Sequence, residues 1–178
     1  MKKIVYLFIF STLVCCGESI KSEADLISEV TSMEKVVNDP NATQVSIDES
    51  RLKYIESLKA IYMNYPKSDE AARSLDKLHM VFTGLGNYVT ATKYCDTLIN
   101  NYPKYDNRAL VLESAASAYD ASLLPRDSTM VRKYYTMMLD EFPKLDPEKR
   151  ADIQKRLAYN KLTFEQFIQI QAADAVGE

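Results

Sequence analysis

The sequence predicts an all-α protein: an array of antiparallel helix pairs closed by a C-terminal helical cap. Three observations carry this. A short phrase, aromatic-Pro-Lys-x-Asp, is written three times: Tyr65-Pro66-Lys67-Ser68-Asp69, Tyr102-Pro103-Lys104-Tyr105-Asp106 and Phe142-Pro143-Lys144-Leu145-Asp146. Its prolines stand 37 and 40 residues apart, a period that belongs to stacked supersecondary units. Between these phrases apolar residues recur at helical spacing, and no segment reads as a strand. Only four glycines occur, and Gly84 and Gly86 fall in one turn.

The elements follow in order. Leu26, Val30, Met33 and Val37, spaced 4, 3 and 4, put one apolar face on a helix over 23–37. Asn38-Asp39-Pro40-Asn41 stops it, and a polar loop runs to about Ser46. A helix from about Asp48 to Asn64 points Leu52, Ile55, Leu58, Ile61 and Tyr62 inward. Helices follow at 69–84, 87–101, 107–122 and 129–141. In the repeated phrase, proline ends one helix and the Ser or Asp just after it can cap the next. Asp146 before Pro147 and Glu148 starts a helix to about Tyr159. Thr163-x-x-Gln166 is a capping box for a last helix, Phe164 to about Ala172. Residues 173–178 read as a frayed tail.

The N-terminus carries an address. Met1-Lys2-Lys3 precedes an 11-residue apolar run, Ile4 to Val14, which suits a secretory leader and is too short to span and stay. The junction Leu13-Val14-Cys15-Cys16-Gly17 resembles the bacterial lipoprotein signal, cut before an acylated cysteine. Leu13 three residues ahead makes Cys16 the acceptor; Cys15 stands where a small residue is usual. The resemblance implies a signal peptide 1–15, a lipidated tether 16–22 and a mature chain of 163 residues. It also implies an anchor in a membrane, with the outer membrane of a Gram-negative bacterium expected, facing periplasm or cell surface. Removing Lys2 and Lys3 leaves 20 basic against 25 acidic residues, net −5. That balance argues against nucleic acid and against charge-driven docking on anionic lipid. Cys95 is then the one remaining thiol, so no intramolecular disulfide can form.

The middle unit resembles the tetratricopeptide repeat: Leu75-x2-Leu78-His79-x2-Phe82, then Ala91-x3-Cys95, then Pro103, with Gly86 and Tyr88 in the turn. The next unit fits less tightly: Leu112-x2-Ala115-Ala116-x2-Tyr119, Val131-x3-Tyr135 and Pro143, with a turn, Leu123–Asp127, three residues longer. The first is degenerate: Leu26-x2-Glu29-Val30-x2-Met33, Tyr54-x3-Leu58 and Pro66. The resemblance covers residues 23–145, with 146–172 as capping helices. It places Cys95 at a buried core site. It places His79, the sole histidine, where a small residue normally lets paired helices approach, so partial burial is expected.

In that family the first helix of each pair lines a groove for a peptide or partner helix. Carried over, the groove is Arg73, Asp76, Met80 and Thr83 from one unit and Leu110, Glu113, Ser117 and Asp120 from the next. Three carboxylates against one guanidinium would favour a protein segment bearing Lys or Arg with apolar anchors. A solvated helix face with no ligand would look the same. Arg126 and Asp127 on the long turn are a second contact point. Tyr62, Tyr65, Tyr94, Tyr102, Tyr134 and Tyr135 recur near the ends of second helices, which favours packing over a sugar platform. Asn41-Ala42-Thr43 and Asp127-Ser128-Thr129 are short loop motifs open to glycosylation.

No Gly-x-Ser-x-Gly, phosphate-binding glycine loop or His-Glu-x-x-His occurs. No second histidine and no cluster with ligand spacing accompanies His79. The expectation is therefore non-catalytic, without cofactor or metal: an envelope lipoprotein acting as a protein-interaction scaffold. The resemblance extends to repeat-bearing lipoproteins of outer-membrane assembly or envelope maintenance. The alternative is a surface glycan- or nutrient-binding accessory lipoprotein.

Overall fold

The computed structural model describes residues 20–176. The leader and Cys16 lie outside them. Among the described residues there are eight α-helices and no strand: α1 Glu23–Val37, α2 Gln44–Asn64, α3 Asp69–Gly84, α4 Tyr88–Asn101, α5 Arg108–Ser117, α6 Ser128–Glu141, α7 Pro147–Ala158 and α8 Phe164–Val176. Consecutive helices from α1 to α7 pack on one another, most extensively α1 on α2 and α3 on α4, then α2 on α3 and α5 on α6. Short turns make neighbours antiparallel. The turns within pairs therefore lie along one edge, and the three Pro-Lys joints lie along the other.

Local chemistry explains the boundaries. Ser22 and Ser68 accept N–H bonds from Asp25 and Ala71 and so cap α1 and α3. Asp127 and Asp146 cap α6 and α7 the same way. The α3–α4 turn needs its glycine. Gly86 sits at φ 71°, its N–H donates to Thr83 O, and the Asn87 N–H donates to Phe82 O. These are the two bonds of a Schellman turn, with glycine at its left-handed position. Asn87 Oδ1 then caps α4 through the Thr90 N–H.

Each repeated phrase folds as one turn. The aromatic residue's N–H closes the preceding helix onto Ile61, Leu98 or Met138, and its carbonyl accepts from the fourth residue of the phrase: Ser68 to Tyr65 at 3.0 Å, Tyr105 to Tyr102 at 3.1 Å, Leu145 to Phe142 at 3.1 Å. Proline in the second place pre-sets that turn. The turns are also fastened to one another. Tyr65 OH donates to Lys21 O at 2.7 Å and Tyr102 OH to Pro66 O at 2.8 Å. Phe142 has no hydroxyl. There Arg108, the first residue of α5, pairs with Glu141, the last of α6, through Nε at 2.6 Å and Nη2 at 3.0 Å. Its Nη1 donates to Ile99 O at 2.6 Å.

Two apolar clusters form the interior. Leu26, Val30, Ile55, Leu58, Ile61 and Leu78 fill α1–α2 against α3. Leu75, Cys95, Leu98, Leu112, Ala115, Ala116, Tyr134, Met138 and Ile153 fill the rest. Tyr62 and Tyr94 pack against both clusters and meet edge to face at 6.2 Å.

Several boundaries differ from the sequence reading. α2 begins at Gln44, not near Asp48, because Thr43 caps it by accepting the Ser46 N–H. Leu52 is 65% exposed; the buried face of α2 is Tyr54, Ile55, Ser57, Leu58 and Ile61, and Leu52 falls on the opposite side. The stretch expected as helix 107–122 is helical to Ser117 and then widens into a π-turn, Ala118–Ser122. At the second joint neither Asp106 nor Asn107 caps: α5 starts with no side-chain cap bond. α8 continues to Val176, through most of the stretch read as a frayed tail.

Candidate functional site

The residues expected to line a groove on α3 and α5 border two clefts. The first, about 520 Å³, holds Arg73, Asp76 and Met80 together with Tyr54, Lys77 and Tyr105. The second, about 350 Å³, holds Thr83, Leu110, Glu113 and Ser117 together with Tyr88. Thr83 stands almost one turn beyond Met80 on α3, so the clefts run on from each other. Seven of the eight expected residues are thus brought into them. Met80 is 61% and Leu110 64% exposed.

Asp120 is the exception. It is 4% exposed, turned inward by the π-turn. Its Oδ1 accepts from Arg126 Nε and Arg156 Nη2 and its Oδ2 from Arg156 Nε, each at 2.6 Å. It cannot face a partner. The same contacts remove Arg126 from the surface: its Nη1 and Nη2 donate to Asn160 O and Oδ1 at 3.0 and 3.1 Å. Asp127 is spent as the α6 cap, accepting from the Thr129 and Met130 N–H groups. Both polar residues expected as a contact point on the long turn are thus engaged within the chain, while Leu124 at its tip is 95% exposed. In the other loop motif, Thr43 likewise serves as a helix cap.

The remaining carboxylates among the eight expected residues, Asp76 and Glu113, are partnered too. Asp76 accepts from Tyr105 OH at 2.6 Å and lies 3.1 Å from His79 Nδ1. Burial pushes its carboxyl up, but the bonds from His79 and Tyr105 outweigh this and hold it below the usual carboxylate range. The His79 imidazole is buried, not partly buried. Its Nδ1 lies close to Asp76 without forming a well-aligned hydrogen bond. Glu113 pairs with Lys149 of α7. Glu34 is pushed up by burial and pulled down further by Lys77 and Tyr54, with Lys77 Nζ at 2.9 Å. Arg73 is held by Glu70 at 3.1 Å and remains exposed. The acid lean expected of the strip is therefore quenched within the chain.

The six recurring tyrosines pack as expected: Tyr134 is buried, and Tyr62, Tyr65, Tyr94, Tyr102 and Tyr135 border the core clusters. Other tyrosines, with Tyr134, fasten helices through their hydroxyls. Tyr54 donates to Glu34, Tyr105 to Asp76, and Tyr119 and Tyr134 both to Asp96. Burial, then the Asp96 carboxylate, pushes the Tyr119 phenol up to about 12. Cys95 is 2% exposed and its thiol is pushed up to about 12, chiefly by burial. At neutral pH it stays protonated and unreactive. Among the described residues no three His, Cys, Asp or Glu side chains gather as a metal site, and no helix is long and apolar enough to cross a membrane.

Sequence reasoning missed the Asp120–Arg126–Arg156–Asn160 cluster. Its members come from three segments spread over Asp120 to Asn160, with no periodic signal to link them. Against protein-family models, curated proteins and solved structures the chain finds no match.

Proposed function

We propose that the protein is a membrane-anchored lipoprotein of the bacterial cell envelope, working as a non-catalytic protein–protein interaction scaffold. The observation that carries the reading is the pair of exposed apolar side chains, Met80 and Leu110, set in consecutive clefts on α3 and α5. Apolar anchors in a grooved helical surface suit a helix or extended segment of a partner. The tetratricopeptide resemblance supports the same face. The lipoprotein-like junction at Cys16 supports the anchor, and the resemblance to envelope repeat lipoproteins points to outer-membrane assembly or maintenance.

A sugar-binding role draws less support. Stacking platforms need exposed aromatic faces, and among the described aromatic residues only Tyr159 and Phe164 are exposed.

Two experiments test the proposal. Crosslinking in intact cells followed by pull-down should recover a protein partner that is lost from the Met80→Asp/Leu110→Asp double variant. Recovery of the same partner by both proteins overturns the groove. Cys16→Ala should block acylation and release the protein from membranes; unchanged membrane partition overturns the anchor.

A further inference from the structure

The C-terminal pair α7–α8 is fastened differently from the rest. Its buried described side chains are Ile153, Arg156, Asn160 and Phe167. Of these, only Ile153 joins the main core, with Leu157 at its margin. Phe167 packs on Tyr159 and under the Arg156 guanidinium at 4.9 Å, within the pair itself. The attachment to α5 and α6 is polar instead. Arg156 reaches Asp120, Arg126 reaches Asn160, Asn160 Nδ2 donates to Ser128 O at 2.9 Å, and Lys149 pairs with Glu113.

The charges in this attachment are unequal. Two guanidiniums share the single Asp120 carboxylate. The surplus is offset by carbonyls at and just past the C-terminal end of α7: Arg126 donates to Asn160 O, and Arg156 to Tyr159 O and Leu162 O. That end of a helix carries partial negative charge. Undocking α7–α8 would take the second guanidinium from Asp120 and the Asn160 carbonyl from Arg126 in one step. Bonds made this way are lost together, which favours a two-state junction over gradual fraying.

We infer that α7–α8 is a removable cap that sets the charge of the groove, an inference that rests on the groove reading above. Docked, Lys149 neutralises Glu113 in the second cleft. Undocked, Glu113 is free, Asp120 loses Arg156, and the long turn loses the Asn160 bonds that hold Arg126. The groove then presents the acidic face that its composition suggested. The partner that gains is one bearing Lys or Arg beside apolar anchors, because its cation takes the place of Lys149.

Hydrogen exchange on the full mature chain, with binding of a labelled amphipathic Lys/Leu peptide, tests this. Residues 147–173 should exchange in their own opening, about ten-fold or more faster than α3–α6. Arg156→Gln should speed that opening about ten-fold further while α1–α4 stay unchanged. Lys149→Gln changes a half-exposed side chain and leaves the fold intact. It should tighten peptide binding about three-fold or more, and Glu113→Gln should cancel the gain. Exchange of 147–173 in the same event as α3–α6, in both wild type and Arg156→Gln, overturns the removable cap. Separate opening with peptide affinity unmoved by Lys149→Gln overturns the control of charge. A peptide that binds no variant overturns the groove reading, and charge control with it, while the exchange result stands.

Discussion

Arg108→Met is the sharpest test of how the third joint holds. The arginine is buried at the start of α5 and makes three bonds across it: two to Glu141 and one to Ile99 O. Methionine keeps the stem and its packing but removes every donor. Glu141 is about one-third exposed at its side chain, so water can take over its charge, and the ion pair itself contributes less than a fully buried one. The Ile99 carbonyl has no such relief, since it sits in the last turn of α4 against a residue that is itself buried. An orphaned buried acceptor costs about 1–3 kcal/mol. Adding about 1 kcal/mol for the screened pair gives roughly 2–4 kcal/mol in all. For a chain of this length that lowers Tm by about 4–16 °C. Glu141→Gln, which keeps the Ile99 bond, should cost about 1 kcal/mol or less. Thermal and urea unfolding of both variants decides the matter. If Arg108→Met costs no more than Glu141→Gln, the carbonyl bond carries nothing and the reasoning fails.

The other expectations are these. Gly86→Ala meets open space around its new Cβ, so its cost should be the left-handed backbone alone, about 1 kcal/mol by urea unfolding. Cys95 should resist a thiol reagent at pH 8 in the native protein and react fully once denatured, because burial keeps it protonated; rapid native labelling would contradict this. Asp76 and Glu34 have folded carboxyls held below their unfolded values. Their contribution is present above the unfolded pKa and lost as pH falls through the folded one, so stability should drop below about pH 4. The Asp76→Asn/Glu34→Gln variant should be less stable at pH 7 and show a flatter acid limb in urea midpoints. An acid limb identical to wild type would show that these two groups do not set it.

Most helix boundaries were legible because they are written in short-range chemistry. Ser22, Ser68 and Asp146 act on N–H groups within three residues, and proline acts on its own turn. The start of α2 was missed because Gln44-Val45-Ser46-Ile47 looks polar by periodicity, while its capping threonine stood inside an expected loop. The π-turn left no trace in the pattern. It shifts one residue of register, and what fixes it, the docking of Asp120 against Arg156, is made 36 residues along the chain. The expected groove positions were carried over from the tetratricopeptide resemblance, and seven of the eight line clefts on α3 and α5. Which of their carboxylates were free depended on partners from other helices, Tyr105 and Lys149, and helix phase does not carry that.

The hydroxyls at the joints have a consequence for how such a chain can grow. Tyr65 and Tyr102 grip main-chain carbonyls, at Lys21 and at Pro66. A grip on the backbone makes no demand on the identity of the residue gripped. A unit ending in Tyr-Pro-Lys can therefore be set behind any unit whose entry turn offers a carbonyl at that place. Duplication of one such segment would need no compensating change at the residue its tyrosine grips. The length of the array is in this sense adjustable by copying, and each copy brings its own fastening with it.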